Sequence, residues 1–222
     1  MLKARKKITK REIKEDPLVT AYVRVQKFLN RHSKTINIGL LAVVVLVVIA
    51  VFDSKNKKES QLKAEREIIM AEQIYFSKDY ERAIEALLPV SENYRGTVAA
   101  GRAVYYIANS YYEQNLYEDA RRYYQQYVDE YGQIDYFKIA SLAGIAACYE
   151  NEAEYLKAAG EYKKAAQEAG GDYSQPFYMK DAARCYVQAG QLETGQALYQ
   201  KILDQYPDNA VSDEIAFLLE SM

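Results

Sequence analysis

From residue 36 to 52 the chain reads INIGLLAVVVLVVIAVF, with Asn37 as its one polar side chain and no charge. A helix of that length spans about 25 Å, a little under the ~30 Å of a hydrocarbon core. Lys34 and Lys55 flank the run, and their long stems reach toward headgroups and make up the difference. Two other readings fit worse. A buried core helix rarely carries Val and Ile on every face with basic residues at both ends. A cleaved signal peptide needs a short basic lead and small residues before the cut, whereas here the lead is long and Val51 and Phe52 occupy the cut region. The pattern predicts an uncleaved transmembrane helix over 36–52.

Beyond this run the apolar period changes, and residues 62–207 align with themselves. Small residues recur at Ala71, Ala108, Ala146 and Ala183, separated by 37, 38 and 37 positions. Four residues before them stand Glu67, Val104, Leu142 and Met179; three after them stand Ile74, Tyr111, Tyr149 and Tyr186. Later columns hold Tyr80, Tyr117, Tyr155 and Leu192, then Ala83, Ala120, Ala158 and Gly195, then Leu87, Tyr124, Tyr162 and Tyr199. Each copy thus reads as two helices that approach through small residues, with Tyr and Leu filling the space between pairs. One pair cannot bury its apolar face alone, so the copies must stack. Gly190 and Asn115 fall between the helices of their pairs, where a left-handed backbone is easiest for Gly or Asn. Lys78 and Ala153 hold that column in the other pairs, so turns of different geometry are expected there. Gly132, Gly170 and Pro207 close the second helices, and residues 213–222 form a capping helix.

The order of small, aromatic and Gly/Pro positions resembles the tetratricopeptide repeat (TPR). The period here exceeds the usual ~34 residues, Glu67 replaces an aromatic residue, and Gly195 replaces Ala. The extra residues fall after the second helices, in RGTVA, GQIDY and GGDYSQP. The resemblance implies an all-α, TPR-like right-handed helical solenoid of four helix pairs plus a C-terminal capping helix, preceded by one transmembrane helix. The expected organisation is a basic segment over 1–35, the span over 36–52, a juxtamembrane connector over 53–62 and the repeat domain over 63–222. Either the anchor helix runs on into the first repeat helix or a linker over 53–60 intervenes.

Charge sets the orientation. Residues 1–35 carry a net +8, so the overall −2 leaves −10 for the rest. The excess of Lys and Arg before the span places the N-terminus in the cytoplasm and the repeats outside it, weakened by the basic cluster after residue 54. Asp16 and Pro17 form a helix start, and Leu18, Tyr22, Val25 and Leu29 then recur at helical spacing opposite Arg24, Lys27 and Arg31. This predicts an amphipathic helix on the inner leaflet, with Arg24, Lys27, Arg31 and Lys34 on anionic lipid headgroups. Those headgroups account for the charge, and no nucleic-acid partner is expected.

Nothing in the chain points to catalysis or to a cofactor. His32 is the only histidine, and no phosphate loop or metalloprotease motif appears. Cys148 and Cys185 share a repeat position, too far apart on neighbouring helices for a disulfide, and read as buried free thiols. Binding is left, and its partners are other proteins. In TPR architecture the first helices line the groove at Ile68, Glu72, Tyr75; Tyr105, Asn109, Tyr112; Ala143, Ala147, Glu150; and Lys180, Arg184, Val187. Tyr105, Asn109 and Tyr112 are the candidate grip on an extended peptide, and Lys180 and Arg184 the candidate contacts to a carboxylate. The whole plan, with the run VQKFLNRHSK leading into the span, is similar to the ancillary subunit family of the bacterial Sec translocon. That resemblance implies an inner-membrane, periplasm-facing adaptor or chaperone-like scaffold. The alternatives are a structural accessory subunit of a large respiratory or photosynthetic membrane complex and a cell-division or envelope-maintenance adaptor.

Overall fold

The computed structural model describes residues 17–132, 135–171 and 173–221. Residues 1–16, with the expected cap at Asp16, lie outside them. Contacts divide the chain into two units, Met1–Asn56 and Lys57–Met222.

Helix α1 spans Pro17–Phe76, so the backbone over 53–60 is helical rather than a linker. Among the described residues no single helix is long and apolar enough to cross a membrane. The stretches Val19–Lys34 and Asn37–Ile49, inclined at 67°, pass that test together by length and composition. By itself Asn37–Ile49 extends only about 20 Å.

The second unit begins with the last turns of α1 and continues as α2 (Tyr80–Asn93), α3 (Val98–Glu113), α4 (Tyr117–Gln126), α5 (Asp135–Asn151), α6 (Tyr155–Ala169), α7 (Gln175–Gln188), α8 (Leu192–Gln205) and α9 (Ser212–Glu220). No strand occurs among the described residues. From α2 to α9 each helix packs on the next, and α3 also meets α5, so first helices of successive pairs form one face. The small columns are fully enclosed: Ala83, Ala108, Ala120, Ala146, Ala158 and Ala183 have no accessible surface. The apolar core passes from pair to pair. Ala64, Ile68 and Ala71 of α1 and Ile84 and Leu87 of α2 join Ala99, Ala103 and Ile107 of α3, and Tyr199 and Ile202 of α8 close against Val211 and Ile215 beside and within the cap.

The four turns share one geometry, contrary to expectation. Lys78 (φ 65°), Asn115 (φ 59°), Ala153 (φ 61°) and Gly190 (φ 79°) are all left-handed. The hydrogen bonds explain why: at Asn115, Ala153 and Gly190 the left-handed residue donates its N–H to a carbonyl three residues back, and its successor donates five back. The pairs impose that closure whatever the side chain, and Lys78 and Ala153 bear a strain of about 1–2 kcal/mol that Gly190 avoids.

Closure of the second helices also differs in part. After α4 the chain continues as a π-helical turn, Tyr127–Tyr131, capped by Gly132, and of the extra residues that follow, Asp135 and Tyr136 already open α5. The wider turn seats Tyr131 on Gly101 of α3, where a Cβ would lie 3.0 Å from the ring. Gly170 caps α6 in left-handed geometry, and Tyr206, immediately before Pro207, caps α8.

Gly195 stands where the other pairs carry Ala because Val187 of α7 fills its place. A Cβ there would lie 2.5 Å from Val187 Cγ2 and 2.9 Å from the Ala183 carbonyl oxygen. That carbonyl is held in α7 and cannot yield. Gly195→Ala is expected to lower stability by about 1–3 kcal/mol in chemical denaturation. Gly160→Ala, with nothing within 4 Å of the new methyl, is expected to raise it by about 0.5–1 kcal/mol.

Candidate functional site

The first-helix face is the surface with the densest polar and aromatic chemistry, and it is held largely by its own contacts. In the second repeat, Tyr105 packs its ring on Tyr106, Tyr124, Tyr127 and Phe137 at 4.8–6.2 Å. Asn109 accepts a hydrogen bond from the hydroxyl of Tyr124. Tyr112 accepts one from Asn151 of the next repeat (3.1 Å) and rests on Tyr117. The three candidates therefore share α3: Tyr105 and Tyr112 stitch the second repeat to the third, and Asn109 ties the two helices of the second repeat together.

Lys180 and Arg184 lie one turn apart on α7. Lys180 pairs with Glu214 of the cap at 2.7 Å. Arg184 engages both oxygens of Glu150 on α5 and reaches Asp181 at 2.9 Å. Tyr162 of α6 adds a hydrogen bond to Glu150. Two cations thus share three carboxylates across the third repeat, the fourth repeat and the cap. Burial pushes the Asp181 carboxyl up to about 6, against the pull of Lys180 and with further repulsion from Glu214.

A second network was missed in the sequence. Arg102 of α3 bonds Glu65 at 3.0 Å and both oxygens of Glu72, all across the first repeat boundary. Glu72 is almost fully enclosed. Arg102 and Glu65 stand 37 positions apart, in a column six before the small residues. Opposite charges one period apart were the signal for it. Phe76, Tyr136 and Phe137 were missed too, since they fall outside the repeat columns.

The remaining candidates, Arg24, Lys27, Arg31 and Lys34, are exposed along α1 in the first unit. Cys148 and Cys185 are both buried and unpaired. Burial pushes their thiols up to about 12 and about 11, so neither is a nucleophile at neutral pH. Among the described residues no group of three or more His, Cys, Asp and Glu side chains is placed to hold a metal ion.

The tetratricopeptide repeat family model matches residues 102–133 and 181–209, the second and fourth pairs. These are the pairs whose turns hold Asn115 and Gly190. Among solved structures the chain is similar to a putative kinesin light chain of Podosopora anserina with nearly identical TPR-like repeats. Identity is 14%, 65% of this chain and 75% of that chain are covered, and the TM-score is 0.53. A single-residue variant of that protein gives 14%, 68%, 77% and 0.54. The type III secretion translocator chaperone SycD of Yersinia enterocolitica gives 25%, 55%, 90% and 0.42. No curated protein matches the chain. The second unit is a TPR-like helical solenoid, an architecture whose stacked repeats present an extended surface suited to protein–protein interaction.

Removing the guanidinium of Arg102 strands an enclosed carboxylate. Arg102→Met is expected to cost about 2–4 kcal/mol in denaturant unfolding, whereas breaking the exposed Arg122–Asp119 pair costs at most about 0.5 kcal/mol. For Asp181 the folded state holds the proton more tightly than the unfolded chain, so its contribution to stability falls as pH rises from about 4 to about 6. Asp181→Asn removes that dependence. The Tm difference between variant and parent is expected to shift in favour of the variant across that window and to stay level above it.

Proposed function

We propose that the protein is a membrane-anchored adaptor: the N-terminal unit fastens it to the bacterial inner membrane, and the TPR solenoid holds partner proteins on the periplasmic side. One observation carries the anchoring. The large apolar side chains described over residues 38–51 lie open around the helix, from 48% exposed at Val45 to 69% at Ile38. An all-round apolar surface of that length is costly in water and favourable in hydrocarbon. The exposed cations Arg24, Lys27, Arg31 and Lys34 suit anionic headgroups on the side where the basic segment remains.

The binding half of the reading rests on the first-helix face. Lys180 and Arg184 already have carboxylate partners, so a ligand carboxylate reaches them only by exchange with Glu214 or Glu150. Tyr105, Asn109 and Tyr112 offer a surface that is already ordered, which lowers the entropic cost of gripping a chain.

The protein is expected in the membrane pellet after alkaline carbonate washing. A reporter active only outside the cytoplasm and fused after Met222 is expected to be on. Recovery in the wash, or a reporter active only in the cytoplasm, sinks the anchoring or the orientation respectively. Mild-detergent purification that yields one fixed assembly at constant stoichiometry would replace the adaptor by a permanent structural subunit.

A further inference from the structure

The rings of the first-helix face connect further than the candidate residues. Phe76 and Tyr75 at the end of α1 touch Tyr106 of α3 at 5.8 and 4.8 Å. Tyr105 and Tyr106 touch Phe137 of α5 at 4.8 and 6.4 Å, and Phe137 touches Tyr136 at 5.5 Å. Six rings from three successive first helices therefore form an unbroken strip. Its ends are open: Phe76 is 66% and Tyr136 72% exposed. With neighbouring helices about 10 Å apart the strip runs about 20 Å, the length of about six extended residues.

The charges beside it are mostly acidic, with Arg102 as the exception. Burial raises the Tyr106 phenol, with Glu72 adding to the effect and Arg102 opposing it, and Glu113 lies near the Tyr75 hydroxyl and resists its phenolate. Burial, with help from its neighbours, pushes Tyr75 up to about 12. Glu65 and Glu72 share the single guanidinium of Arg102. The faces of the rings themselves attract cations.

We propose that this strip binds an extended protein segment bearing arginine or lysine, with its cations stacked on the exposed rings and drawn to the carboxylates of Glu65, Glu72 and Glu113. The inference rests on the scaffold reading above and names the class of partner. An acidic segment meets carboxylates along the strip, and the one guanidinium beside it is doubly engaged.

The test uses the full chain in detergent micelles and fluorescence anisotropy with three labelled peptides of about twelve residues, matched to the strip with a margin. They alternate proline with arginine, serine or glutamate. The arginine peptide is expected to bind at least about tenfold more tightly than the glutamate peptide, and to weaken with salt. The double variant Phe76→Ala, Tyr136→Ala removes only exposed rings, so its melting should match the parent while affinity for the arginine peptide falls about tenfold. The conservative pair Phe76→Tyr, Tyr136→Phe should restore it. Equal binding of the three peptides, a preference for serine or glutamate, or arginine binding that survives loss of both rings overturns the proposal. The peptide assay is independent of the carbonate wash, so failure of the anchor and failure of the strip are separate results.

Discussion

Within each pair of the repeat body the two helices meet through side chains too small to hold the backbones apart. Ala108, Ala146 and Ala183 are fully enclosed, and so are Ala83, Ala120 and Ala158 in the second helices. Larger rings then pack beside these contacts, and the fit is tight enough that Gly144 has no room for a methyl beneath Tyr124. Because no pair has a core of its own, the hydrophobic driving force is shared between neighbours. The four left-handed turns follow from it. Two of them hold side chains that dislike the conformation, and the stacking enforces it.

The same stacking decides what the polar residues do. Charges 30 to 37 positions apart fall on neighbouring first helices or on the cap and meet. Arg102 reaches back to Glu65 and Glu72, Arg184 to Glu150, and Lys180 forward to Glu214. These partly enclosed groups are dry enough for pairing to matter and for unpaired charge to be costly. The face that reads from sequence as a set of free ligand contacts is in this state a set of internal ones. A partner gains there by exchange at the ion pairs, or by contact with the rings that stay open at Phe76 and Tyr136.

The N-terminal unit carries a different pattern. Its described large apolar residues are exposed on every side of the helix instead of gathered into a core. Arg24, Lys27, Arg31 and Lys34 lie along the same helix, outside the apolar run.

The chain alone determined the helix pairs, their period, the enclosed small columns and the cap, because a repeated burial requirement writes itself into residue type at fixed spacing. The tetratricopeptide repeat family model matches the second and fourth pairs, while periodicity and geometry extend the solenoid to all four. Tertiary structure decided the rest. The turn at Ala153, the π-helical close of α4 and the methyl-free approach at Gly195 depend on how two surfaces fit, which residue type does not encode. Tyr105 and Arg184 carry the same chemistry whether they point to a ligand or to the next repeat. Only the distance to Phe137 or Glu150 tells the two apart, since that distance is set by the stacking of whole helices and not by any local run of residues.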